Sequence, residues 1–182
     1  GMPVVALCSI PLGIPLGDAL RRSRARRRRR RYLGQFQDFL SVFSMTSFAG
    51  RTGAMTVHYR VNAGAMPTDH WVTDPDVGGG RIKGEGCHFI DLIGFLCGSS
   101  VVEVRARRLS RETDSAEIWL ELADGSKGTV LYTAEGDSSF SKERIECFCG
   151  GSVAVVDDFR SGMLISGGRS RKMRSTGQDK GH

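Results

Sequence analysis

The spacing of apolar positions along this chain changes twice. Met55, Val57, Tyr59 and Val61 alternate with Thr56, His58 and Arg60, which predicts a strand ended by Asn62-Ala63-Gly64. Between Gly78 and Gly98 the period lengthens. Ile82, Phe89, Leu92, Ile93 and Leu96 recur at spacings of three, four and seven, the stripe of an amphipathic helix. Gly78-Gly79-Gly80 opens this stretch, and Gly98 stands where a helix stop is expected. From Val101 onward the period returns to two. Alternation runs over Val101 to Leu109, Ala116 to Leu122 and Lys127 to Ala134, with Asp124-Gly125 turning the last pair into a hairpin. Arg144 to Phe148 and Val153 to Val156 form a second hairpin across Gly150-Gly151, and Gly162 to Ser166 is a candidate last strand. Helix plus mainly antiparallel sheet is an α+β pattern. The end, Arg169 to His182, is polar and basic and has no apolar closing element.

The first 48 residues read differently and form an atypical arm, with the domain proper over 49–182. Residues 1–20 show no period. Nine arginines follow between Arg21 and Arg31. Leu33, Phe36, Leu40 and Phe43 then suggest a short helix that needs a partner surface. The arginine run alone makes the chain basic: net charge is +6, but residues 41–182 hold 17 Lys plus Arg against 18 Asp plus Glu. So dense a run is solvated or disordered when unbound, or else tethers the chain to nucleic acid or another acidic partner. No aromatic residue interleaves the arginines to stack on bases, and no nucleic-acid-binding motif follows, which argues against nucleic acid.

Apolar content of 40% suffices for a core, and no apolar run reaches transmembrane length. The apolar stretch 2–16 lacks the preceding positive charge of a secretory signal, so the expected compartment is the cytoplasm. The five cysteines, Cys8, Cys87, Cys97, Cys147 and Cys149, have no zinc spacing and read as free thiols. No metal site is expected.

Candidate chemistry lies in and before the helix. Glu85, His88 and Asp91 stand three residues apart and share a side of it. This trio is either a site or a solvent-facing edge with a hydrogen-bonded histidine. The preceding loop carries Asp69, His70, Trp71, Asp74 and Asp76. Polar groups beside a tryptophan suit ligand contact, while a loop pinned in the core by Trp71 is the alternative.

Several phrases place the chain near a known family. Tyr59-Arg60-Val61-Asn62-Ala63-Gly64, Asp69-His70-Trp71, the segment Gly78 to Asp91, Ala123-Asp124-Gly125-Ser126, Lys142-Glu143-Arg144 and Gln178-Asp179-Lys180-Gly181-His182 follow one another in the order and spacing of that family. From about Gly53 to His182 the chain resembles the C-terminal domain of Gfo/Idh/MocA (glucose–fructose oxidoreductase / inositol dehydrogenase / MocA) dehydrogenases. The resemblance implies an open, mostly antiparallel sheet packed with helices that shapes the substrate pocket and supports homodimerisation. It implies a sugar- or polyol-like substrate and NAD or NADP, bound by a separate N-terminal Rossmann domain with a catalytic lysine. His88 matches the histidine of the family's Gly-Gly-x-x-x-Asp-x-Gly-x-His-x-x-Asp helix, placed for proton transfer, and Asp91 its last aspartate. The earlier aspartate falls on Gly84, with Glu85 adjacent. Tyr59, Arg60, Asn62, Asp69, His70 and Trp71 are the implied substrate-binding residues.

The departures shape the expectation. No Gly-x-Gly-x-x-Gly follows a strand, and no Glu-Lys-Pro occurs. The reading is therefore a truncated oxidoreductase-like substrate domain, inactive and without cofactor on its own, or completed by a separate Rossmann polypeptide. The alternative is a structural or interaction module that dimerises through its sheet, with the arginine arm on an acidic partner. In the dimer, Trp119, Val130 and Tyr132 are the expected contacts.

Overall fold

The computed structural model describes residues 53–67, 70–72, 76–110 and 112–174. The arm over 1–48, Asp69, Asp74 and the segment 175–182 lie outside the described residues. Among the described residues one helix and eight strands follow in the order β1 (Thr56–Asn62), α1 (Arg81–Cys97), β2 (Val101–Arg108), β3 (Ala116–Leu122), β4 (Lys127–Thr133), β5 (Glu143–Cys149), β6 (Ser152–Asp157), β7 (Ser161–Ser166) and β8 (Arg169–Arg174). The strands make one sheet in the order β2-β3-β4-β1-β5-β6-β7-β8. Every pair is antiparallel except β1–β4, which runs parallel from Thr56↔Lys127 to Asn62↔Thr133. The architecture is the expected α+β sheet with a packed helix.

The helix forms where the apolar stripe predicts it. Gly98 closes it in the left-handed conformation (φ 61°), its backbone N–H reaching back to the Phe95 carbonyl. At the other end the N–H of Arg81 donates to Asp114 Oδ2 at 2.8 Å, so a carboxylate from the β2–β3 loop caps the positive helix start. Phe89, Leu92, Ile93 and Cys97 form the buried stripe. They cover the alternate strand residues Val57, Tyr59, Ile118, Leu120, Val130 and Tyr132, which share the core with them. Burying one such Leu, Ile or Phe side chain contributes about 1.5–3 kcal/mol.

Two expectations are corrected. Val130 and Tyr132 are no interface candidates, because they point into the core beneath α1. The stretch from Arg169 is a strand, β8, paired with β7 through the Gly167-Gly168 turn, whose two positive φ angles (55° and 72°) fit a tight hairpin. Its alternation is hidden because all its described side chains are exposed. The sheet thus ends in two basic edges, β2 with Arg105, Arg107 and Arg108, and β8 with Arg169, Arg171, Lys172 and Arg174. Charged edges discourage strand-to-strand aggregation. Among the described cysteines Cys97 and Cys147 are buried, Cys149 is half-buried and Cys87 is exposed.

Candidate active site

The parallel β1–β4 pair brings two strand ends together at Asn62 and Thr133. β5 starts beside them, with Glu143 opposite Val61. The first turn of α1 reaches the same end: Arg81 donates from its guanidinium to Gly64 O at 2.8 Å and to Ala63 O at 3.1 Å. Chain exits from several elements therefore converge on one place, the usual setting of a site built on a rigid sheet.

Beneath the helix start lies a buried polar group. The Arg81 guanidinium sits over the Tyr132 ring, 5.4 Å from its centroid, and its Nε stands 3.5 Å from Glu85 Oε1. Phe89 packs between Tyr59 and Tyr132, edge-on to the first with centroids 5.2 Å apart and tilted to the second at 5.8 Å. The Tyr59 hydroxyl donates to Glu143 Oε2. Burial raises the Glu143 carboxyl above its usual range, against the pull of that hydrogen bond. The Tyr132 hydroxyl is buried, with the Glu85 carboxylate near it but no well-formed hydrogen bond among the described residues. Burial pushes it above the usual tyrosine range, and the neighbouring Glu85 carboxylate adds to the effect.

Asn62 is buried at the exit of β1. Its Nδ2 donates to Asp137 O at 2.7 Å, and its Oδ1 lies against Gly136, where a Cβ would overlap it. Arg60 points to the opposite face. It donates to Ser141 O at 2.8 Å and Ser141 Oγ at 2.9 Å and covers the Phe140 ring at 4.6 Å. Trp71 is 64% exposed, so it does not pin its loop in the core. His70 stays half-buried beside it, its Nδ1 accepting from the Val72 N–H at 3.3 Å. The glycine run lets this loop fold back on the helix start: Gly80 N–H donates to Val72 O at 2.9 Å, and a Cβ on Gly78 would lie 2.5 Å from Val72 Cα.

On α1, His88 is exposed and its side chain makes no hydrogen bond or ion pair among the described residues. Asp91 is half-buried. Glu85 turns toward Arg81 and the sheet. Tyr59 and Glu85 are thus gathered under the helix start, whereas His88 and Trp71 face outward and Arg60 is on the other face.

A family model for the GFO/IDH/MocA C-terminal domain matches residues 47–149. The chain belongs to this family. No curated protein sequence matches it significantly. Its fold is similar to the inositol dehydrogenase homolog complexed with NAD+ from Azotobacter vinelandii (TM-score 0.64, 16% identity, covering 82% of this chain and 44% of that one). It is also similar to the aldose-aldose oxidoreductase from Caulobacter crescentus complexed with glycerol (TM-score 0.65, 13% identity, 82% and 48% covered). A third similar structure is the UDP-N-acetylglucosamine 3-dehydrogenase from Acidithiobacillus ferrooxidans (TM-score 0.59, 21% identity, 81% and 45% covered). The chain spans less than half the length of each.

Within this GFO/IDH/MocA domain, three residues at the helix–sheet junction were missed by sequence reasoning: Arg81, Tyr132 and Glu143. Arg81 and Glu85 stand four apart on one helix, a spacing that signals an ion pair. Glu143 follows the alternation of β5 onto the inner face, which marks it as a charge in an apolar position. Tyr132 carries no such signal, since a tyrosine in a buried strand position is ordinary. No helix among the described residues is long and apolar enough to cross a membrane.

Proposed function

We propose that this chain is the substrate-facing domain of an NAD(P)-dependent oxidoreductase acting on a sugar- or polyol-like small molecule. The observation that carries the reading is the family match together with the placement of His88 on a helix that starts from a folded-back glycine loop. In this reading His88 moves the proton of the hydroxyl being oxidised, a task that suits an imidazole. Asn62, His70 and Trp71 border the substrate. Tyr59 and Glu143 support the floor from beneath, and Arg60 braces the adjoining loop.

Nicotinamide chemistry enters from a Rossmann unit, since the sequence contains no glycine-rich nucleotide turn after a strand. The chain by itself is then inert toward substrate and binds NAD(H) and NADP(H) no better than weakly. The assay is reduction of NAD or NADP, followed by absorbance, with a panel of sugars and polyols. Turnover by this chain that is lost in His88→Ala would overturn the inert part and keep the site. Turnover that survives His88→Ala would overturn the site.

The face of the sheet away from α1, which no helix or strand among the described residues covers, supports a homodimer. Phe148, Val153 and Ile165 are directly paired neighbours across β5, β6 and β7, with Val155 and Met163 beside them. All five alternate with residues on the inner face, so they form one apolar strip on the face away from α1.

A further inference from the structure

Among the described residues Arg81 is the only Lys, Arg, Asp or Glu that is buried. Stability alone does not ask for a charge there. Desolvating a guanidinium is costly, and an apolar side chain of similar volume often serves a core as well. What the guanidinium does is geometric. It joins the exit of β1 to the first turn of α1 through the Ala63 and Gly64 carbonyls, and its Nε faces Glu85. Residues three apart on a helix are neighbours, so an unrestrained Glu85 would reach His88. Instead Glu85 lies close enough to the sheet for its charge to act on both Tyr132 and Glu143.

We propose that Arg81 is a positioning residue of the candidate site: its guanidinium draws the Glu85 carboxylate toward the sheet and away from His88, and fixes where the helix leaves the glycine loop. The proposal rests on the reading of His88 as the histidine of the site. Its consequence is that Glu85, although adjacent to the position where the family's helix carries an aspartate, does not serve as the carboxylate partner of His88. The Glu85 charge is spent inside, on Arg81. Lysine would not substitute, because one ammonium on a flexible stem lacks the planar fork that meets two carbonyls and a carboxylate together.

The test follows the imidazole titration of His88 by NMR in the full chain and in Glu85→Gln, Arg81→Met and Arg81→Met/Glu85→Gln. Asp91, three residues further along, is unchanged in all four proteins and cancels from the comparison. With Arg81 present, Glu85→Gln leaves the His88 midpoint where it was. Arg81→Met frees the Glu85 carboxylate, and a negative charge within reach of the imidazole raises the midpoint, by about half a pH unit or more. The double variant returns to the wild-type midpoint, which a purely structural role for Arg81 does not predict. A midpoint that falls in Glu85→Gln overturns the proposal, as does a folded Arg81→Met with an unchanged midpoint. Glu85→Gln needs no change at Arg81, so it decides the question even where Arg81→Met does not fold. Turnover plays no part in this measurement, so a failed dehydrogenase reading and a failed positioning role are told apart.

Discussion

The Tyr59 hydroxyl donates to the half-buried Glu143 carboxylate diagonally across the antiparallel β1–β5 pair. Tyr59 stands opposite Ile145, two residues along β5 from Glu143, so both side chains lie on the helix-covered face. A carboxylate on that face has lost solvation that one hydrogen bond only partly restores.

The pH dependence of folding follows from this pair. Burial raises the folded-state pKa of Glu143 above its unfolded value of 4.5. A carboxyl with a raised folded pKa contributes stability that is fully present below the unfolded value and is lost as pH rises through the folded one. Glu143→Gln removes that loss while still accepting from Tyr59. The melting temperature of Glu143→Gln should exceed that of wild type at neutral pH, and the two should converge toward pH 4. A difference that stays constant over this range would mean that Glu143 is as well solvated as in the unfolded chain. Tyr59→Phe should raise the Glu143 pKa further, readable from its carboxyl 13C shift.

Close approach of α1 to the sheet depends on Gly128. A Cβ there would stand 2.8 Å from Ile93 Cγ2 and 3.3 Å from Leu120 Cδ1, both in the core. Gly128→Ala should cost about 1–3 kcal/mol by overpacking, measured by urea unfolding. Ile93→Ala alone should cost about 2–5 kcal/mol. Together the two changes should cost less than their sum, because the new methyl fills space that Ile93 vacates. Strict additivity would place the strain of Gly128→Ala elsewhere.

The hydroxyl of Tyr132 tests the opposite effect. It is buried with no well-formed hydrogen bond among the described residues, and such a group opposes folding. Tyr132→Phe keeps the ring that meets Phe89 and Arg81 and removes only the oxygen. Its urea midpoint should equal or exceed that of wild type. A loss of about 1 kcal/mol or more would show that the oxygen has a partner, the Glu85 carboxylate or an ordered water.

Much of the fold was legible in the sequence because local rules set it. The stripe from Ile82 to Leu96 and the stop at Gly98 define α1, and Asp124-Gly125 defines the β3–β4 hairpin. The parallel pairing of β1 with β4 was not legible. Thr56 and Lys127 meet across most of the domain's sequence, and alternation states which face is buried but not which strand is the neighbour. β8 escaped because an edge strand with exposed basic side chains has no period to read. The helix motif located His88 and Glu85. It did not reveal that Glu85 turns inward, because that direction is set by Arg81 and the carbonyls after β1, which only the folded chain brings together.

The face away from α1 is unevenly dressed. Toward β2 and β3 it carries ion pairs, Arg107 with Glu117 and Lys127 with Glu121, whose partners are largely exposed. Exposed pairs of this kind contribute little and tolerate water. Toward β5 to β7 it carries the strip of Phe148, Val153 and Ile165, with Phe148 42% exposed. An interface core is depleted in charge and enriched in aromatic residues, which favours the second region over Trp119, where Arg107 lies over the indole ring. The chain should be a dimer by light scattering at tens of micromolar. Phe148→Asp should make it a monomer, since a carboxylate in a two-fold contact is desolvated in both copies. Trp119→Asp should leave the dimer largely in place. A wild-type monomer at that concentration would remove the homodimer, and a dimer broken by Trp119→Asp but not by Phe148→Asp would move the contact to the ion-paired end of the sheet.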